Sequence, residues 1–165
     1  MDANTEGCFN TAVGSYSMCK NTTGDFNVGI GQDALFTNTT ADDNTAVGYK
    51  AMCLNETGGN NTAVGFCALA ANTSASDNVA IGYTAGGCNT TGSKSIYIGF
   101  QAGDVTTTPA ANVFIGYQAA DANTTGASNT AVGCGALGAN QTTDCNVAIG
   151  KGAMLVAVNG DNTAV

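Results

Sequence analysis

Asn61-Thr62-Ala63-Val64-Gly65-Phe66-Cys67-Ala68-Leu69-Ala70-Ala71-Asn72-Thr73-Ser74-Ala75-Ser76-Asp77 runs straight into Asn78-Val79-Ala80-Ile81-Gly82, so the opening phrase returns after 17 residues. The phrase is Asn-(Thr/Val)-(Ala/Gly/Phe)-(Val/Ile)-Gly. It starts at Asn10, Asn27, Asn44, Asn61, Asn78, Asn112, Asn129 and Asn146, and Ser95 opens the copy between Asn78 and Asn112. The last step, to Asn162, is one residue shorter, which places a deletion near Val158. A period this short is too small for a pair of helices and suits one coil of a solenoid.

With the opening Asn as column zero, the repeat assigns each position a role. Column four is Gly14, Gly31, Gly48, Gly65, Gly82, Gly99, Gly116, Gly133 and Gly150, where the chain turns a corner that glycine's freedom permits. Columns one to three read as a short strand, with the β-branched columns one and three facing inward and column two facing out. Columns seven and eight, mostly Ala followed by Met, Leu, Gly or Ala, supply a second apolar stretch and read as a second short strand. Asn-Thr-Thr-Gly at columns eleven to fourteen is turn chemistry. One coil cannot bury its apolar side alone, but a stack can, adding about 4.8 Å per coil. The expected fold is therefore all-β: a β-solenoid, or β-roll, of about ten 17-residue coils over residues 1–165, with Asn and Thr ladders along it. The chain starts and stops mid-repeat without a capping sequence, as a segment of a longer array or an end-to-end stacking subunit would.

Composition narrows the function classes. Four Lys, no Arg and no His stand against twelve acids, for a net charge of −8. A chain so poor in cations lacks the basic footprint that nucleic acids and anionic membrane surfaces require. No run approaches the ~20 apolar residues that span a bilayer. Without His or Arg, and with no activated nucleophile or phosphate loop, the repeat offers no catalytic constellation, and no cofactor or metal is expected. Seven cysteines without a C-x-x-C pair read either as small buried thiols or as disulfides of undetermined pairing.

The pattern Asn-Thr-Ala-Val-Gly-(Tyr/Phe)-x-Ala-Leu…Asn-Thr-Thr-Gly resembles the head repeats of trimeric autotransporter adhesins and the related repeats of phage tail-fibre-like and bacterial surface proteins. Asn78-Val79-Ala80-Ile81-Gly82 and Asn146-Val147-Ala148-Ile149-Gly150 are the best matches to the adhesin phrase. The resemblance covers essentially the whole chain. It implies an extracellular or cell-surface fibre, often a parallel trimer in which three rolls share a core; from the residues themselves no enzymatic activity is expected, and the expected partners are further copies of the chain.

Several rows are candidates for function. Asn21, Asn38, Asn55, Asn72, Asn89, Asn123 and Asn140, all in column eleven, satisfy the N-glycosylation rule, and Asn60 adds a sequon out of register. On a surface turn they would carry N-linked glycans along one edge; the alternative is a bare turn ladder. Tyr49, Phe66, Tyr83, Phe100 and Tyr117 fill column five of consecutive coils. This aromatic stripe reads as a sugar-binding or subunit-docking surface, or as packing beside the glycine corner, with the packing role preferred. The Thr row at column thirteen suggests ice binding, against which no flat two-column face is evident. Asp104 and Asp121 share a column in which an ion would fit, although solvated surface charge is the simpler reading. A structural subunit of an extracellular filament is the leading expectation. A trimeric adhesin or tail-fibre head comes second, and an ice-binding solenoid third.

Overall fold

A computed structural model of the chain describes residues 3–155, 157 and 159–165. Its regular elements are ten short strands: β1 (Thr11–Val13), β2 (Val28–Ile30), β3 (Thr45–Val47), β4 (Thr62–Val64), β5 (Val79–Ile81), β6 (Ile96–Ile98), β7 (Val113–Ile115), β8 (Thr130–Val132), β9 (Val147–Ile149) and β10 (Thr163–Ala164). They form one parallel sheet in chain order. Register advances by one repeat per strand, pairing Thr45 with Thr62 and Ala63 with Ala80. This is the expected β-solenoid, one strand per 17-residue coil. Parallel pairing needs a crossover between strands, and here the rest of each coil provides it.

Columns seven and eight do not form the expected second strand; they lie in a turn. Left-handed residues on either side of column seven break any extended run, as Lys50 (φ 54°) and Met52 (φ 51°) illustrate. Each such non-glycine residue costs about 1 kcal/mol or more. The neighbouring coils hold it in place: the Lys50 amide donates to the Gln32 carbonyl at 2.9 Å and the Met52 amide to the Ala68 carbonyl at 3.0 Å.

The polarity of the strand is the reverse of the expectation. Column two points inward and columns one and three point outward. Ala46, Ala63, Ala80, Tyr97, Phe114, Ala131 and Ala148 are fully buried, whereas Ile30, Ile81 and Ile149 are about two-fifths exposed. The reason is volume. The interior is one layer thick, and column two faces column eight across it. Where column two is Gly29, an added Cβ would lie 2.7 Å from the Ser17 hydroxyl and 2.9 Å from Met18 Cγ. Where column two swells to Tyr97 and Phe114, column eight shrinks to Gly86, Gly103 and Ala120. The Tyr97 and Phe114 rings then pack at 5.8 Å between centroids.

The asparagines are also inside. In column zero, each carboxamide oxygen accepts the backbone N–H of the next coil's column zero, as from Asn44 to Asn27 at 3.0 Å, while Nδ2 of Asn44 donates to the Gly58 carbonyl at 2.9 Å. In column eleven the carboxamides from Asn21 to Asn72 donate to one another: Asn38 Nδ2 to Asn21 Oδ1 at 2.9 Å, Asn55 Nδ2 to Asn38 Oδ1 at 3.0 Å, and Asn72 Nδ2 to Asn55 Oδ1 at 2.7 Å. Pairing both ends offsets the cost of burying an amide, and the run stops at Asn72, whose Oδ1 is buried without a partner. Val158, where the sequence drops a residue, lies outside the described residues. Beyond it the column-zero ladder resumes, with Asn162 Nδ2 donating to Asn146 Oδ1 at 2.9 Å.

Asn38→Ala is therefore expected to cost about 2 kcal/mol, because it strands Asn21 Oδ1 in the interior and leaves Asn55 Nδ2 with the Gly58 carbonyl alone. Thr40→Ala, on the exposed column-thirteen row, is expected to change little. Urea unfolding of both variants checks the pair, and equal small effects would refute an energetic role for the ladder.

Candidate functional site: the outward sheet face and its aromatic edge

The corner glycines set the geometry of the surface. Their φ angles are all positive, from 122° at Gly150 to 141° at Gly65. The backbone of one corner also lies directly on the next. A Cβ added at Gly65 would sit 2.2 Å from the Gly82 carbonyl oxygen. Stacking, as much as turning, thus demands glycine here. With no side chains at the corner, the sheet face runs directly into the next column.

That column carries the aromatic stripe. Tyr49, Phe66, Tyr83, Phe100 and Tyr117 stack face to face, with centroids 5.0–5.2 Å apart and planes within 20°. They remain 38–53% exposed. Because each ring covers its neighbour's face, the row presents ring edges. A sugar that needs a free aromatic face finds none between Tyr49 and Tyr117. Lys50 Nζ lies 5.3 Å from the Tyr49 centroid, and its hydrogen bond to the Tyr49 hydroxyl raises the ammonium pKa.

Beside the stripe, the outward side chains of β1–β10 form two parallel rows. Column one alternates Thr, Val and Ile, and column three is Val or Ile throughout. No charged residue occupies columns zero to four in any coil. This flat two-column face was not evident in the sequence, because columns one and three were assigned to the interior.

The predicted sugar-bearing row lies elsewhere and is closed. Asn21, Asn38, Asn55, Asn72, Asn89, Asn123 and Asn140 are at most 1% exposed. Their Nδ2 atoms donate to carbonyls three residues on, for example Asn89 to Gly92 at 2.8 Å and Asn123 to Gly126 at 2.9 Å. A glycan at Nδ2 would have to displace those bonds and the neighbouring coil, so the surface-turn expectation for this row is corrected. Asn60 alone of the sequon asparagines is exposed. The Thr row at column thirteen is exposed and lies outside the strands.

Neither reading of the cysteines, buried thiols or disulfides, describes these six: Cys8, Cys88, Cys134 and Cys145 are exposed, Cys53 and Cys67 are half-buried, and none of them is disulfide-bonded. Partial desolvation pushes the Cys53, Cys67 and Cys88 thiols up, away from the thiolate form a nucleophile needs. Among the described residues no three His, Cys, Asp or Glu side chains converge on a metal-sized site. No family model, curated protein or solved structure matches this chain.

Asp104 and Asp121, stacked in column nine, are both pushed up by desolvation, and the Asp121 charge adds to the effect at Asp104. In the unfolded chain each titrates near 3.8. As pH rises from there toward the raised folded values, the unfolded state releases its protons first and the fold loses stability. Asp104→Asn is expected to raise the melting temperature at neutral pH and to leave it unchanged below the unfolded pKa. Thermal melts at the two pH values check this, and a neutral-pH loss of stability would refute it.

Proposed function

We propose that this chain is a structural rod segment of an extracellular or cell-surface fibre, working by association with further copies of itself. The observation that supports the reading is the use made of each coil. Column two, columns seven and eight and both Asn rows are consumed in stacking one coil on the next. What is left outside is a periodic surface, suited to a periodic partner. Ten rungs at about 4.8 Å give a stiff element roughly 45 Å long. A net charge of −8 keeps such rods soluble.

A second reading, a head domain that contacts a host surface as adhesins and tail fibres do, draws on the exposed aromatic edge. The two part on location and partner. Immunogold labelling of the native source, with sedimentation of the purified chain, tests the proposal. Label on surface appendages together with self-association supports a fibre segment. Label confined to the cell interior overturns it. Surface label with a monomeric chain that captures host cells favours the head domain.

A further inference from the structure

We propose that the outward sheet face, columns one and three, is where two copies of this solenoid pair. This rests on the reading that the chain works by self-association, and adds the surface and the number of partners.

Charge argues first. The protein carries twelve acids and four Lys, yet columns zero to four hold none of them in any coil. Ten of the twelve acids fall in columns six, nine, fifteen and sixteen, and two chains repel where those columns meet. On this side the outermost groups are methyls of Val, Ile and Thr, with Ile30, Ile81 and Ile149 at 38%, 41% and 42% exposure. Charge depletion at an apolar patch marks the centre of an interface.

Shape argues next. Columns one and three form two ridges, and column two, pointing inward, leaves a groove between them. A copy of the same chain has the same rung spacing, so one ridge of each seats in the groove of the other over the full length. The face needs no adjustment to do this, because strands β1–β10 keep their register throughout. The contact is isologous, the same patch on both copies.

Area and flatness set the number. About 45 Å of rungs by roughly 13 Å from column zero to column four gives about 600 Å² per copy, or around 1,200 Å² for the pair, the lower end of stable interfaces. Two flat faces close on each other completely. An isologous pair buries both faces against each other with no third chain required. The aromatic row at column five then borders the seam with its ring edges.

The test is sedimentation velocity across a wide concentration range on the whole chain and three variants. Ile81→Lys with Ile115→Lys puts charge on the face. Ile81→Thr with Ile115→Thr uses a residue the strands already carry outward, which keeps the test alive if the lysine variant fails to fold by circular dichroism. Thr91→Lys with Thr125→Lys makes the same charge change on the exposed column-thirteen row. The expected result is a dimer for the wild type and the column-thirteen variant, a monomer for the lysine variant, and at least tenfold weaker pairing for the threonine variant. A wild-type dimer indifferent to both face variants overturns this surface but leaves the fibre reading standing. A trimer sensitive to them overturns pairing by two. A monomeric wild type overturns both, and if that monomer also arrests ice-crystal growth, the occupant of the face is a lattice of water.

Discussion

Gly65→Ala is expected to lower the unfolding free energy by about 4 kcal/mol or more, while Gly58→Ala, seven residues earlier, is expected to cost about 1 kcal/mol at most. Distance alone would rank them the other way. An added Cβ at Gly58 would lie 2.1 Å from the Ala75 carbonyl oxygen, against 2.2 Å from the Gly82 carbonyl oxygen at Gly65. Two facts reverse the order. Gly65 has φ 141°, a conformation that side chains rarely adopt, whereas Gly58 is not in the positive-φ region. And Ala41 and Ala75 occupy Gly58's own column, so a small shift of the turn admits a methyl there. Nothing but glycine occupies column four. At Gly65 the coils above must move apart, which breaks sheet hydrogen bonds in both directions. Denaturant unfolding of the two variants decides it, and a mild effect at Gly65 would show that coil spacing is softer than the ladder implies.

Gly103→Leu carries the second large effect, about 3 kcal/mol from overpacking. Its φ of 58° is no obstacle, since Leu35, Leu69 and Leu137 adopt nearly the same value in the same column. The obstacle is aromatic: an added Cβ would meet Tyr97 Cδ1 at 2.6 Å and Phe114 Cδ2 at 2.8 Å. Removing the rings alone, as Tyr97→Ala with Phe114→Ala, opens a cavity and costs several kcal/mol, roughly 3–5 per ring at most. Combining all three changes recreates the composition of an ordinary coil. The combined loss is expected to fall short of the sum of its parts by about 2 kcal/mol or more. Strict additivity would mean that the rings and glycines coincide without compensating.

How much of this was legible in the sequence depends on the column. The period, the glycine corner and the number of coils follow from the return of one phrase, and the structure keeps them. The direction of the strand does not follow. A three-residue strand alternates only once, and β-branched residues suit either face of a sheet. The informative signal was the volume exchange between column two and column eight, visible where Tyr97 and Phe114 meet Gly86 and Gly103. The asparagines misled for a related reason. Asn-Thr-Thr-Gly is turn chemistry locally, and only axial neighbours at one repeat's distance make a buried carboxamide such as Asn55 satisfied at both ends, Nδ2 donating to Asn38 and Oδ1 accepting from Asn72. The two-column face was hidden behind the same inversion, because it consists of the residues assigned to the interior.

The short final repeat shows what this arrangement permits over generations. One residue is missing between Asn146 and Asn162, yet Asn162 still donates to Asn146 and Thr163 still pairs with Val147. The irregularity is absorbed before the ladder resumes. Since each coil touches only the coils beside it, copying errors that duplicate or drop a whole repeat during replication leave every cross-section intact and alter length alone. Such a gene can vary the reach of its product in rungs of about 4.8 Å, and selection can act on that reach without putting the interior at risk.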